Sequence, residues 1–188
     1  EKFRNIVATK EYNVTINGYN KVISNTNELL GSLDGVYGVK TGFTNGAGRC
    51  LVTSCKRGEL DIITIVLGAD TKKIRTTDSI NLINYAYKNY KVINIENIIN
   101  QKFEEWKNIR EKAIIVNKGI LENATIKLGE FKYTKKAIRN ADIDNINIEA
   151  NCLMYLEAPV EANKKIGTLK VKVGEETIQT IDILVERA

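Results

Sequence analysis

Hydrophobic and polar positions divide this chain near residue 90. Before it, three apolar segments at close spacing lead into a helix. Val36–Phe43 ends in Asn45-Gly46, a strong short-range hairpin signal. Arg49–Lys56 alternates loosely and stops at Arg57-Gly58-Glu59, which reads as a second tight turn. Asp61–Leu67 is almost continuously apolar through Ile62, Ile63, Ile65, Val66 and Leu67, which predicts a strand buried on both faces with helices on each side of the sheet. The pattern over residues 76–90 is helical: Thr76 or Thr77 can cap it, Asp78 suits the positive end of its dipole, and Ile80, Ile83 and Tyr87 share one face. An antiparallel meander covered by helices belongs to the α+β or mixed α/β class. Upstream lie a short segment around Phe3–Thr9, an alternating stretch near Tyr12–Ile16, and an Asn- and Gly-rich loop with a turn signal at Asn17-Gly18. Asn25 to Leu30 reads as a structured loop entering the sheet.

Beyond Tyr90 short β-branched segments recur: Val92–Ile99, Ala113–Val116, Ala124–Leu128, Ile146–Ala150, Leu153–Ala158, Ile166–Val173 and Thr177–Val185. Alternation of Leu169, Val171 and Val173, and of Ile181, Ile183 and Val185, predicts a hairpin with one buried face around Gly174-Glu175. The lone proline, Pro159, follows a strand, where it costs no ladder bond. The expectation is a domain over 1–90 followed by a small all-β domain over 92–188.

Composition narrows the chemistry mainly by exclusion. The 188 residues are 43% hydrophobic and 27% charged, which is globular and not disordered. Net charge is +5, with lysines and arginines scattered and no basic cluster interleaved with aromatics, so a nucleic-acid site is not expected. That charge leaves room for mild attraction to anionic cell-wall polymer or a membrane surface. There is no histidine, which removes Ser-His-Asp and Cys-His catalysis and the commonest zinc ligand from these residues. Any proton transfer here must use lysine, tyrosine or a carboxylate. Cys50, Cys55 and Cys152 are odd in number and make no C-x-x-C pair, against both a zinc site and a disulfide framework. Cys50 and Cys55 fall on one strand with side chains on opposite faces. No metal or cofactor is called for.

The stretch with the most chemistry is Gly38-Val39-Lys40-Thr41-Gly42-Phe43-Thr44, at the end of the first strand. Lys-Thr-Gly, with Ser-x-x-Lys and Ser-Asp-Asn, is a signature of β-lactamases and penicillin-binding proteins. Alone it turns up by chance in roughly one chain of this length in twenty or thirty, so context decides. That context is Asn25-Thr26-Asn27-Glu28-Leu29-Leu30 before it, Ala47-Gly48 and Leu51-Val52-Thr53-Ser54 after it, then Ile65-Val66-Leu67-Gly68-Ala69-Asp70 and Arg75. In this order the motifs closely resemble the serine-type D-alanyl-D-alanine carboxypeptidases, the low-molecular-mass penicillin-binding proteins. The resemblance is strong over residues 3–90, whereas 92–186 match in pattern the β-rich domain that follows the catalytic one.

The resemblance implies part of a β-lactamase/transpeptidase-like domain, a bacterial protein of the cell envelope outside the cytoplasm, and two ligands: a peptidoglycan stem peptide ending in D-Ala-D-Ala, and β-lactams. It also implies site residues. Lys40 would point into the cleft and hold the substrate's carboxylate region, Thr41 would face away unless the strand end bulges, and Gly42 would let the substrate backbone approach closely. The Phe43 backbone N–H would give one oxyanion donor, and Arg75 would help bind the terminal carboxylate. One departure is plain: Ser-x-x-Lys is absent from all 188 residues. Thr53-Ser54-Cys55-Lys56 lies on a strand, where positions three apart face opposite sides, and Ser79-Ile80-Asn81 lies in the helix. The nucleophile is therefore expected upstream, on the other half of the catalytic domain, and this chain alone should be inert. The competing expectations are a β-lactamase of the same superfamily and a non-catalytic cell-wall-binding or scaffolding protein.

Overall fold

Turns lay out the first sheet. In this computed structural model, which describes residues 1–187, β3 (Val36–Thr44), β4 (Gly48–Arg57) and β5 (Leu60–Ala69) form an antiparallel meander in the order β3-β4-β5. Thr44 pairs with Gly48 across the first turn, and Gly48 rather than Gly46 takes the left-handed conformation, at φ 64°. Glycine adopts it without a Cβ penalty. Arg57 pairs with Leu60, so Gly58-Glu59 is a two-residue turn with Gly58 at φ 59°.

Upstream stand α1 (Lys2–Ala8) and a hairpin of β1 (Glu11–Ile16) and β2 (Tyr19–Ser24). Residues 19–24 are thus a strand and not a continuation of the loop. Asn17 and Gly18, both with positive φ (52° and 81°), return the chain tightly enough for Ile16 to pair with Tyr19.

The long helix also begins earlier than its apolar pattern predicts. α2 runs Lys72–Asn89, and Thr71, not Thr76 or Thr77, caps it, its hydroxyl accepting from the Ile74 N–H at 3.1 Å. Its buried stripe is Arg75, Ser79 and Ile83, polar for two turns before it becomes apolar, so hydrophobic periodicity registers only the second half. Ile83 packs with Leu29, Leu51 and Cys55, and Ile62, Ile80 and Tyr87 border them. Each such side chain contributes roughly 1.5–3 kcal/mol by burial. Only this face of β5 is covered. Leu60, Thr64, Val66 and Ala69 are buried, whereas Ile63, Ile65 and Leu67 are 67%, 58% and 71% exposed. The expected two-sided burial is therefore not met within this chain: α1 lies against β3, where Val7 stands beside Gly38, and leaves that face of β5 bare.

The chain divides into two compact units, Glu1–Lys91 and Val92–Ala188. The second is rich in strands but not all-β, because α3 (Ile95–Arg110) follows β6 (Tyr90–Asn94) directly. Of the segment 92–99, for which the sequence predicts extended backbone, residues 92–94 are extended in β6, whereas Ile95, Ile99 and Phe103 recur at helical spacing and are buried. The remaining strands are β7 (Ile115–Asn117), β8 (Thr125–Leu128), β9 (Lys135–Arg139), β10 (Ile146–Cys152), β11 (Tyr155–Glu157), β12 (Lys165–Val173) and β13 (Glu176–Arg187). The main sheet has the order β10-β12-β13-β8, with β7 paired to β11 and β6 to β9. The predicted β12–β13 hairpin forms around Gly174-Glu175, and Leu169, Val171, Ile181, Ile183 and Val185 fill the core with α3. Among the described residues no helix is long and apolar enough to cross a membrane.

Candidate active site

β3 is an edge strand, and its two halves are treated differently. Its first half is closed by the 25–30 loop, because buried Asn27 donates from Nδ2 to the Gly38 carbonyl at 3.0 Å and accepts at Oδ1 from the Leu29 N–H at 3.1 Å. The second half, Lys40–Thr44, is exposed at every position but the half-buried Thr41. An open strand edge carries unpaired backbone groups that can pair with an extended peptide.

Register places the side chains. Gly42 pairs with Cys50 and Lys40 with Val52, so Lys40 and Gly42 share one face; Thr41, opposite Leu51, and Phe43, opposite Arg49, take the other. Exposed Lys40 folds its ammonium back onto the Thr41 carbonyl at 2.8 Å. Thr41 shares a hydrogen bond with the Thr26 hydroxyl at 2.6 Å, which fixes it to the loop and not to the Lys40 face. Phe43 is 54% exposed, and the Arg49 guanidinium stacks over its ring at 4.2 Å, a cation–π contact that steadies the strand end. A Cβ built on Gly42 would meet only Cys50 Cβ, at 3.7 Å, whereas one on Gly38 would strike Val7 at 2.9 Å. Gly38 is small because the protein packs on it. Nothing in this chain asks the same of Gly42.

Arg75 is the fourth residue of α2 and is buried there, 3% exposed, with Nη2 3.7 Å from Glu28 Oε2 and no partner for Nε. Thr76 donates to the same Glu28 oxygen at 3.1 Å. Thr26 and Glu28 therefore tie the 26–28 segment to the Lys-Thr-Gly strand and to Arg75 respectively. Sequence reasoning marked that segment as a structured loop but gave Thr26, Asn27 and Glu28 no role; the cluster of Asn and Thr before two leucines was the available signal. Thr53 is buried and Lys56 exposed, as expected for positions on opposite faces of one strand, and Ser79 is buried in α2 with its hydroxyl donated to the Arg75 carbonyl at 2.9 Å. The three cysteines are free; Cys55 is fully buried, Cys50 and Cys152 half-buried. Among the described residues no cluster of acidic or cysteine side chains is placed to hold a metal ion.

The arrangement offers an open strand edge, an exposed ammonium, room at Gly42 and an arginine engaged by one loose carboxylate.

Comparison with known proteins divides along the same chain. Residues 1–71 match the family described as D-alanyl-D-alanine carboxypeptidase, and residues 112–188 match the penicillin-binding protein 5 C-terminal domain. The chain is 29% identical over 154 residues to the D-alanyl-D-alanine carboxypeptidase DacF of Bacillus subtilis, covering 82% of this chain and 37% of that protein. It is 37% identical over 91 residues to a D-alanyl-D-alanine carboxypeptidase of Streptomyces, covering 45% and 31%. Among solved structures, penicillin-binding protein 5 from Haemophilus influenzae superposes with a TM-score of 0.63 at 22% identity, covering 98% of this chain and 50% of that one, a likeness of fold. The chain thus spans about two fifths of the length of the curated relatives it matches, 37% of the first and 40% of the second.

Proposed function

We propose that this chain, whose residues 1–71 match the D-alanyl-D-alanine carboxypeptidase family, forms the Lys-Thr-Gly wall of a serine-type D-Ala-D-Ala carboxypeptidase site. The complete protein trims peptidoglycan stem peptides outside the cytoplasm through an acyl-enzyme, and β-lactams acylate the same serine. The carrying observation is the open half of β3, where exposed Lys40 and unobstructed Gly42 lie on one face. The stem peptide lies along that edge as an added strand. Lys40 releases the Thr41 carbonyl and holds the substrate's carboxylate region, which orients the acyl carbonyl. Gly42 admits the peptide backbone, and the Phe43 N–H and the N–H of the serine form the oxyanion hole. Thr41 acts from the loop side through Thr26, and Arg75 takes the terminal carboxylate once Glu28 moves off it.

The serine and its lysine partner come from the part of the protein outside these 188 residues. The bare Ile63, Ile65 and Leu67 face supports that division, since an apolar face this exposed needs a cover and the missing part of the catalytic domain supplies one. Fluorescent-penicillin labelling tests the reading on the complete protein, with Lys40→Ala and the 188-residue chain beside it. A lasting label is expected on the complete protein, reduced at least tenfold by Lys40→Ala, because a charge-assisted contact is worth about 1.5–3 kcal/mol, and absent from the 188-residue chain. Rapid turnover of the penicillin would instead identify a β-lactamase. No label on a folded complete protein would leave a non-catalytic cell-wall-binding role.

A further inference from the structure

Glu28 occupies the place where an incoming anion would meet Arg75. Its carboxylate lies 3.7 Å from Arg75 Nη2 and accepts from the Thr76 hydroxyl at 3.1 Å, both long for contacts to a charged group, for which N–H···O bonds run at about 2.7–2.9 Å and O–H···O bonds shorter still. Arg75 is otherwise enclosed: its side chain is 4% exposed against 50% for Glu28, and its Nε has no partner at all. A guanidinium offers five N–H donors in a fork that suits a bidentate carboxylate. Here that fork is buried, underused and stoppered by a single half-exposed acid from a neighbouring loop.

We propose that Glu28 is a built-in competitor, a specificity-determining residue that fills the anion slot of Arg75 in the resting protein and is displaced by a ligand's own carboxylate. The inference rests on the reading of Arg75 given above. Its consequence is a discount on the affinity of carboxylate-terminated peptides: the ligand gains only the difference between its contact with Arg75 and the one Glu28 gives up. A displaced Glu28 swings into water at little cost, because half of it is already there. Ligands without a terminal carboxylate do not compete for the slot and are indifferent to residue 28.

Calorimetric titration of the complete protein decides it, with a peptide ending in a D-Ala-D-Ala unit made uncleavable by a methylene in place of the scissile carbonyl, and the same peptide as its C-terminal amide. Glu28→Gln removes the charge and keeps the shape. It should tighten binding of the free-carboxylate peptide about two- to fivefold, the size of a half-exposed ion pair, and leave the amide unchanged. Glu28→Ala should act in the same direction. Weaker binding of the acid by Glu28→Gln would show that Glu28 orients Arg75 instead of blocking it; equal shifts for acid and amide would show a general structural effect; no shift would show that the pair is idle. Each of these overturns the proposal. Penicillin labelling of the same samples reports separately on the carboxypeptidase reading, since binding can respond to residue 28 whether or not an adduct forms.

Discussion

Gly42→Ala separates what the fold needs at the Lys-Thr-Gly strand from what a ligand needs. The added methyl would stand on the Lys40 face, its nearest neighbour Cys50 Cβ at 3.7 Å, an ordinary van der Waals distance, and Gly42 does not have the positive φ that penalises a side chain. The folded state accepts the change, and alanine has less backbone entropy to lose, so stability should rise by about 0.4–1 kcal/mol. A peptide drawn along the edge meets the same methyl as a step of more than 1 Å beneath its backbone. Misplacement on that scale costs about 10²-fold in rate, or about 2.7 kcal/mol in the transition state. The assay pairs urea unfolding of the 188-residue chain with the second-order rate of penicillin acylation in the complete protein. Acylation about a hundredfold slower at undiminished stability is the expected result. Unchanged acylation would refute the close approach at Gly42, and a loss of stability beyond about 1 kcal/mol would show that the glycine serves the fold.

Asn27→Ala orphans the Gly38 carbonyl and the Leu29 N–H together and should cost about 2–4 kcal/mol, read by urea unfolding, with acylation of the complete protein falling as the first half of β3 loosens. Tyr87→Phe removes a hydroxyl that donates to the Cys55 and Leu60 carbonyls at 2.8 and 3.0 Å and should cost about 1 kcal/mol at pH 8. Burial first, then the hydrogen bond with Cys55, holds this phenol protonated well above its ordinary pKa, so its contribution is complete below pH 10 and is lost as pH rises toward the folded-state value; the gap between wild type and Tyr87→Phe should narrow in alkaline unfolding titrations. Gly167→Ala in the second unit would drive a Cβ into the Asn151 carbonyl oxygen and Cys152 Cβ, so the β10–β12 ladder must open there, and a loss of about 1–3 kcal/mol is expected by thermal unfolding.

What could be read in advance follows the range of the interactions. The three-strand meander was legible because alternation and turn residues are local: Gly58 and Gly48 lie where the chain reverses. The Lys40–Phe43 stretch was legible as a strand end for the same reason. α3 was not, because the apolar run that begins at Val92 and Ile93 of β6 carries on through Ile95, and the helical stripe shows only when Phe103 and Trp106, stacked 5.9 Å apart, are counted with Ile95 and Ile99. The start of α2 was misplaced because its first buried positions are Arg75 and Ser79, and apolar periodicity cannot register a polar stripe. Glu28 was out of reach altogether: it meets Arg75 only once a loop before β3 and a helix after β5 have been brought together. The bare face of β5 was misread for the opposite reason, since an apolar run states that a face needs cover but not whether this chain supplies it.

The two units should therefore respond differently to stress. The second closes its own core: Ile95, Ile99 and Phe103 of α3 meet Leu169, Val171, Ile181, Ile183 and Val185 of the sheet, all at 3% exposure or less. The first has four buried residues in its main cluster and leaves Ile63, Ile65 and Leu67 in water. With about two thirds of each side chain still in water, covering those three would add about 3–6 kcal/mol, a large share of the net stability of a whole domain. Without that cover the first unit of the 188-residue chain should unfold at lower urea than the second, in two transitions instead of one. Six of the eight tyrosines lie in the first unit, whereas Trp106 is the single tryptophan and lies in the second; with Tyr133 and Tyr155 replaced by phenylalanine, tyrosine absorbance reports the first unit alone, and it and tryptophan fluorescence should give separate midpoints, tryptophan the higher. In the complete protein the gap should shrink as the exposed face is buried. Coincident midpoints in the 188-residue chain would mean that the first unit does not depend on that cover, and would remove the physical support for a catalytic domain completed from outside it.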